Sequence, residues 1–218
     1  DLHSFPTRRS SDLRTYIGLA FDGDADRLIV VDEKGEIIDG DKAICLCAAT
    51  LRKEGRLYKG RVTATVMSNI GFHKYITEKL GGCVDVTAVG DRYVLESMLK
   101  TGSVIGGEQS GHIIFRDYTT TGDGTLSSLQ FIKALLGSGR KASELSAEVE
   151  LFPQVLVNAK VKNESKAVFM EDPEVKQAIS KAEAELNGDG RVLIRPSGTE
   201  PLARVMIEGK DAAQIKSS

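Results

Sequence analysis

Cysteine is scarce in this 218-residue chain. Its three cysteines, Cys45, Cys47 and Cys83, are too few and too unevenly spaced for a disulfide framework or a zinc site. On one helix Cys45 and Cys47 would project about 200° apart, since each residue advances ~100°. They are expected to be small core side chains in a reducing cytosol, with a redox pair as the alternative. Long apolar runs are missing as well. The longest, near Ala43–Leu51, falls far short of the roughly 18–20 residues that cross a bilayer, so no membrane span is expected. A basic surplus is also absent: 29 basic against 31 acidic side chains leave a net charge of −2. Nucleic acid is therefore not an expected partner, because binding it means neutralising phosphates. A small anion needs only a few well-placed arginines and stays open. Neither an internal repeat nor a low-complexity segment occurs. What is present suffices for real cores: 41% of residues are hydrophobic and 28% charged, over a length that allows one large domain or two modest ones.

The two ends lack periodicity. Asp1–Leu13 (DLHSFPTRRSSDL) has no apolar h-region of a secretory signal, and its acidic residues weigh against a transit peptide. It reads like translated sequencing-adapter sequence and is set aside from fold reasoning. Asp211–Ser218 starts like a helix and stops, so a chain clipped at both ends is expected.

Between them, Tyr16–Phe21, Leu28–Val31 and Ile37–Ile38 read as strands, separated by DGDADR and by a Lys34-Gly35 turn; they are expected to be weakly supported edges. Asp41 is a plausible N-cap for a helix carrying Ile44, Cys47, Ala48 and Leu51. Strand signals at Arg61–Met67, Cys83–Val89 and Val104–Ile105 then alternate with helical ones at Gly71–Leu80, Arg92–Lys100 and Leu126–Leu136. The last helix places Leu129, Ile132 and Leu136 on one face. Such alternation predicts βαβ units in a parallel or mixed sheet, one α/β domain over residues 39–150. Residues 151–218 change character. A strand at Pro153–Val161 precedes a helix opened by Asp172-Pro173, striped by Val175, Ile179, Ala182 and Leu186, and stopped by Asn187-Gly188. Strands at Arg191–Ile194 and Ala203–Ile207 flank the loop RPSGTEP, giving a small α+β domain.

Three loops carry chemistry. In Asp22-Gly23-Asp24-Ala25-Asp26-Arg27 the carboxylates fall at i, i+2 and i+4, with Gly23 expected to take the bend. Oxygen-only ligands favour Mg²⁺ or Ca²⁺ over zinc. An EF-hand is excluded, because Arg27 stands where the sharp turn wants glycine and LIVV runs where a helix should, although Glu33 falls at position 12. A haloacid-dehalogenase-like phosphatase, with Asp22 as nucleophile and Asp24 as acid, needs a downstream lysine and acidic pair that find no convincing place. A Mg²⁺ loop with an open position for a phosphate oxygen, beside Arg27, and a solvated acidic turn remain. In Gly106-Gly107-Glu108-Gln109-Ser110-Gly111-His112 a carboxylate and a hydroxyl can grip vicinal sugar hydroxyls at the carboxyl end of a strand, where α/β sheets bind ligands. A glycine-rich turn is the plain alternative, and a lone His112 is more often structural than acid–base; His3 and His73 have no partner spacing. Arg195-Pro196-Ser197-Gly198-Thr199-Glu200-Pro201, followed by Arg204, combines hydroxyls, exposed N–H groups and guanidiniums into an anion site, or is a proline-bracketed surface turn. Asp91 in Gly90-Asp91-Arg92-Tyr93 is equally an N-cap or a ligand, and Thr121-Gly122-Asp123-Gly124 reads as a helix entry.

Taken together and in this order, DGDADR, GGEQSGH and RPSGTEP resemble the α-D-phosphohexomutase superfamily, over about Tyr16 to Lys210. GDRYVLE at Gly90–Glu96 and RVMIEG at Arg204–Gly209 look most similar to its bacterial branch acting on glucosamine phosphates. The resemblance implies four domains around a cleft, of which residues 14–38 would end domain 2, residues 39–150 form the mixed-sheet α/β domain 3, and residues 151–218 the phosphate-binding domain 4. It implies Mg²⁺ held by Asp22, Asp24 and Asp26 together with a phosphoserine, with Arg27 beside it as a catalytic residue. Glu108 and Ser110 would read sugar hydroxyls, with Asp91 and Arg92 also on the substrate. His112 would lie near the transferred phosphoryl group, and Arg195, Ser197, Gly198, Thr199 and Arg204 would hold the other phosphate. The implied reaction interconverts glucosamine 6-phosphate and glucosamine 1-phosphate through a bisphosphate, in the cytoplasm, by a protein for which a homodimer is one arrangement open. The family's catalytic serine lies in a Ser-His-Asn segment with no counterpart here, and Ser10 and Ser11 do not match. The chain alone is therefore expected to be inactive. A phosphomannomutase or phosphoglucomutase, a Mg²⁺ phosphatase and a non-catalytic phosphosugar-binding remnant are the competing functions.

Overall fold

A computed structural model describes residues 16–161, 169–186, 189–196 and 201–217. The Asp1–Leu13 leader, the Asn187-Gly188 stop and Ser197, Gly198 and Thr199 lie outside the described residues. The chain divides into two compact units, one ending at Glu150 and one beginning at Leu151.

The first unit opens with β1 (Ile17–Phe21), β2 (Leu28–Asp32) and β3 (Ile37–Ile38), an antiparallel sheet in the order β1-β2-β3. It continues through α1 (Gly40–Lys53), β4 (Arg61–Thr65), α2 (Ile70–Lys74), β5 (Cys83–Thr87), α3 (Asp91–Thr101), β6 (Ile105–Gly107), β7 (Ile113–Phe115), α4 (Gly124–Ser138) and α5 (Ala142–Ser146). A second sheet runs β5-β4-β6-β7, with β4 parallel to both β5 and β6, and β7 antiparallel to β6. It is the mixed α/β sheet that the strand–helix alternation predicts. Val62, Thr63, Ala64 and Thr65 of β4 are buried in succession, which requires cover on both faces of that strand. α3 packs on β4, β5 and β6, while α1 and α4 pack on each other and on β2. No helix among the described residues is long and apolar enough to cross a membrane.

Several expectations need correction. β2 is not a weakly supported edge: Leu28 through Asp32 are all buried under α4 and α1, and the Ser143 N–H and hydroxyl both donate to Glu33 just beyond the strand. β1 and β3 are the edges of this sheet, with Phe21 and Ile37 exposed. Asp39, not Asp41, caps α1 by accepting from the Lys42 N–H (3.0 Å), whereas Asp41 is buried and accepts from the Asn69 N–H (2.7 Å). Gly90 rather than Asp91 is the N-cap of α3, and Asp91 is its exposed first residue. The helix expected over Gly71–Leu80 is a short α2 continued by a wide π-type turn at Tyr75–Lys79. On α4 the expected stripe faces outward: Leu129 is 59% and Leu136 75% exposed. Phe131, Ala134, Ser127 and Ser128 are buried instead, their two hydroxyls donating to the Ile113 and Thr125 carbonyls.

Cys45 and Cys47 are buried free thiols of α1, as the core reading has it. Burial pushes the Cys47 thiol up to about 12. Because the thiolate is the nucleophile, neither should react with a maleimide in the folded chain while both react after denaturation. Rapid native labelling of either would remove the core assignment.

The second unit holds β8 (Gln154–Lys160), α6 (Pro173–Glu185), β9 (Gly190–Pro196), β10 (Leu202–Gly209) and α7 (Gln214–Ser217). Its sheet, β8-β10-β9, is antiparallel throughout. Asp172 caps α6 by accepting from the Glu174 N–H (2.8 Å), with Pro173 at the first helical position, and the least exposed residues of that helix are Val175, Ile179 and Ala182, leading to buried Leu186. Across one rung of the sheet, buried Glu208 accepts from Arg191 Nε (2.7 Å) and Gln154 Nε2 (3.0 Å).

Candidate functional site

The DGDADR loop turns between β1 and β2. Its tight bend falls at Ala25, with φ 58°, rather than at Gly23, where an added Cβ would meet nothing within 4 Å. The bend is closed by the Ala25 N–H donating to the Asp22 carbonyl (3.2 Å) and the Arg27 N–H donating to Asp22 Oδ1 (3.3 Å). It brings an oxygen from each of Asp22, Asp24 and Asp26 to within 4.8 Å of one another. Arg27 Nε lies 3.6 Å from both the Asp22 and the Asp26 carboxylates. The Asp26 carboxyl is raised above its ordinary value, first by burial and then by its hydrogen bond with Asp22; the charges of Asp22 and Asp24 add to this and His112 opposes it. Asp26 Oδ1 is buried and has no hydrogen-bond partner among the described residues. Converging carboxylates, one with a buried oxygen that no hydrogen bond satisfies, are what a hard, oxygen-seeking cation fits.

The GGEQSGH segment forms the β6–β7 hairpin, which the sequence reading missed because Ile113–Phe115 directly abuts the polar loop. Its turn is closed by the Gly111 N–H donating to the Glu108 carbonyl and the Glu108 N–H donating to the His112 carbonyl, both at 3.0 Å. The Gly90 N–H donates to Glu108 Oε1 (3.0 Å), so the opening of α3 fixes the one carboxylate of this loop. Gln109 Nε2 donates to Asp39 Oδ2 (3.3 Å), and the Gln109 carbonyl accepts from Gly40 (3.0 Å), which ties the loop to the start of α1. Burial holds the Asp39 carboxyl above its ordinary value against the Lys42 N–H and Gln109 Nε2, which both donate to it. Ser110 is half-buried; Asp91 and Arg92 are exposed, and Arg92 Nε pairs with Glu96 one turn on (2.8 Å).

The two loops meet. Arg27 bridges His112 across the backbone, and Leu28 N–H donates to the Gly111 carbonyl (3.0 Å). Buried His112 sets Nδ1 3.1 Å from Asp26 Oδ2, and its Nε2 accepts from the Gly122 N–H (3.0 Å). Gly124 N–H donates to the Ala25 carbonyl (2.9 Å). The segment Thr121–Gly124, read as a mere helix entry, therefore backs both loops; nothing in its linear pattern marks such a close approach.

In the second unit Arg195 of β9 and Arg204 of β10 are direct cross-strand partners, and Asn158 of β8 lies opposite Arg204 on the other side. Like charges facing each other across one rung disfavour the pairing.

Comparison with known proteins adds two domain matches. The family described as phosphoglucomutase/phosphomannomutase, alpha/beta/alpha domain III, matches residues 39–152, and the C-terminal domain of the same family matches residues 156–217. The phosphoglucosamine mutase of Thermoanaerobacter sp. (strain X514) is 59% identical over 91% of this chain and 44% of its own length. That of Bacillus subtilis (strain 168) is 54% identical over 96% of this chain and 45% of its own. The chain thus spans less than half the length of these relatives. Among solved structures, Aspergillus fumigatus N-acetylphosphoglucosamine mutase in complex with GlcNAc-6P and magnesium superposes with a TM-score of 0.73 at 24% identity, over 91% of this chain and 46% of that one.

Proposed function

This chain belongs to the phosphoglucomutase/phosphomannomutase family, and on that footing we propose that it carries the cation-binding and sugar-phosphate-binding part of a phosphoglucosamine mutase, which interconverts glucosamine 6-phosphate and glucosamine 1-phosphate. The observation that supports the reading best is Asp26: its carboxylate converges with those of Asp22 and Asp24, one of its oxygens is buried without a hydrogen bond among the described residues, and the other bonds His112 at the end of the sugar-type loop. Cation loop and GGEQSGH loop are thereby one assembly.

Asp22, Asp24 and Asp26 would hold Mg²⁺, which when bound supplies charge to draw electrons from the transferred phosphoryl oxygens. Arg27, 3.6 Å from two of these carboxylates, adds a guanidinium at the same edge. Glu108, aimed by Gly90, accepts from sugar hydroxyls, and Ser110 offers a hydroxyl beside it. Asp91 and Arg92 stand exposed at the start of α3, which also holds the Glu108 carboxylate through Gly90, and would meet the sugar's amino group or phosphate, Arg92 by leaving its surface pair with Glu96. Arg195 and Arg204, with Ser197, Gly198 and Thr199 of the intervening loop, grip the phosphate that stays. The reaction belongs to amino-sugar metabolism in the cytosol.

Titration calorimetry of the chain with glucosamine 6-phosphate in Mg²⁺ tests this. Binding is expected, stronger than for glucose or mannose 6-phosphate. Arg204→Ala should weaken it about 10- to 100-fold, the scale of a lost charge-assisted hydrogen bond. The serine of a Ser-His-Asn segment, the phosphoryl carrier of the reaction, occurs nowhere in the 218 residues, so no turnover is expected. Release of inorganic phosphate by the chain would overturn the reading in favour of a Mg²⁺ phosphatase.

A further inference from the structure

We infer that Gly122 is a positioning residue: its N–H locks His112 as the Nδ1–H tautomer, which turns Asp26 so that Oδ1 is left for the cation. The inference rests on the cation reading of the DGDADR loop for its last step only.

A backbone N–H can only donate. With Gly122 N 3.0 Å from His112 Nε2, that ring nitrogen must present its lone pair, so the proton of the neutral ring sits on Nδ1. Nδ1 lies 3.1 Å from Asp26 Oδ2, where N–H faces carboxylate. The opposite tautomer would set two donors head to head at Nε2 and two acceptors head to head at Nδ1, inside a site where His112 is buried. Both ring nitrogens are thus engaged within the protein. His112 acts as a rod between the turn before α4 and the acidic loop.

Asp26 has two oxygens and the rod takes one. Its Oδ1, buried and without a hydrogen-bond partner among the described residues, is the oxygen left over, 3.6 Å from Arg27 Nε and on a carboxylate that converges with those of Asp22 and Asp24. Histidine and carboxylate pairs outside a cation's own ligands commonly set the orientation of those ligands, and losing one costs about 10- to 100-fold in affinity. Glycine at 122 is required by space. A Cβ there would stand 2.5 Å from His112 Cε1 and 2.6 Å from each ring nitrogen, and the ring could not stay. The neighbouring Gly124 N–H bond to the Ala25 carbonyl pins the same turn to the far side of the acidic loop.

The test has two parts on the full 218-residue chain. Nitrogen-15 NMR of the metal-free chain at neutral pH should show His112 with Nδ1 protonated and Nε2 bare; a proton on Nε2 would overturn the lock. Mn²⁺ affinity is then compared among variants. His112→Asn places an amide N–H where Nδ1–H stood and should bind Mn²⁺ within about threefold of the parent chain. His112→Ala and Gly122→Ala should bind 10- to 100-fold more weakly. If His112→Asn is as weak as His112→Ala, the inference fails, because the donor to Asp26 is then not what matters. The His112 pair needs no added atoms and stands even if Gly122→Ala does not fold. A parent chain that shows the stated tautomer yet binds no Mn²⁺ overturns the cation reading and leaves the lock intact.

Discussion

Alanine in place of Gly111 is expected to lower the melting temperature of the chain by roughly 10 °C and to abolish sugar-phosphate binding. Gly111 has φ +94°, a conformation that costs a residue with a side chain about 1–3 kcal/mol. Its hydrogen-bonded neighbour is also too close for one. A Cβ would overlap the Leu28 carbonyl oxygen and lie 3.0 Å and 3.1 Å from the Leu28 carbonyl carbon and nitrogen. These are backbone atoms of β2, whose residues are all buried, so relief would require moving a core strand. Overpacking of that kind adds about 1–3 kcal/mol. A total near 4 kcal/mol is a large share of the roughly 5–15 kcal/mol that holds a domain folded, and at about 2–4 °C per kcal/mol for this size it gives the stated shift. Gly35→Ala separates the two causes, because Gly35 has φ +88° with nothing within 4 Å of an added Cβ. It should cost only the conformational part. Equal melting temperatures for the two variants would mean that crowding against Leu28 contributes nothing.

Legibility in the sequence followed locality. Strands β4 and β5, helix α3 and the Asp172-Pro173 entry to α6 depend on residues a few positions apart, and the expected and observed spans agree within a few residues. The three carboxylates at i, i+2 and i+4 converge in space because a loop of that length between two paired strands has little other choice. Errors came where two local solutions were nearly equal. Asp39 and Asp41 both stand at the helix start; Asp39, whose side chain reaches the Lys42 N–H, is the cap, and Asp41, inside the first turn, accepts from the Asn69 N–H. On α4 a leucine stripe and a face of Ser127, Ser128, Phe131 and Ala134 share one helix, and the second lies inward where α4 packs on β2, β7 and α1. Contacts between distant backbone atoms left no trace at all. Gly90 holding Glu108, and Gly122 holding His112, pair an N–H that every residue has with a side chain 18 or 10 positions away.

Asp26→Asn is expected to stabilise the metal-free chain at neutral pH while removing its response to Mg²⁺. Burial, the hydrogen bond with Asp22 and the charges of Asp22 and Asp24 raise the Asp26 carboxyl above its ordinary value. An acid raised in this way binds its proton more tightly folded than unfolded. Its contribution to stability is therefore complete below the ordinary carboxylate value and is lost as pH climbs through the raised one. At neutral pH the folded chain holds a carboxylate that burial and its neighbours oppose. Asparagine keeps the shape, can still accept from His112 Nδ1–H, and carries no charge. Mg²⁺ acts on the same cost in the parent chain. At a hundred times its dissociation constant it should add about 2.7 kcal/mol, a rise of roughly 5–11 °C for a chain of this length. Differential scanning fluorimetry with and without Mg²⁺ at pH 7, then at pH 4, checks both halves. The parent should gain from Mg²⁺ at pH 7 and much less at pH 4, and Asp26→Asn should melt higher than the metal-free parent at pH 7 and gain nothing from the ion. A variant that melts lower than the metal-free parent would show that His112 and Arg27 attract the carboxylate more strongly than its acidic neighbours repel it. A variant that still gains the full Mg²⁺ shift would place the cation somewhere other than these three aspartates.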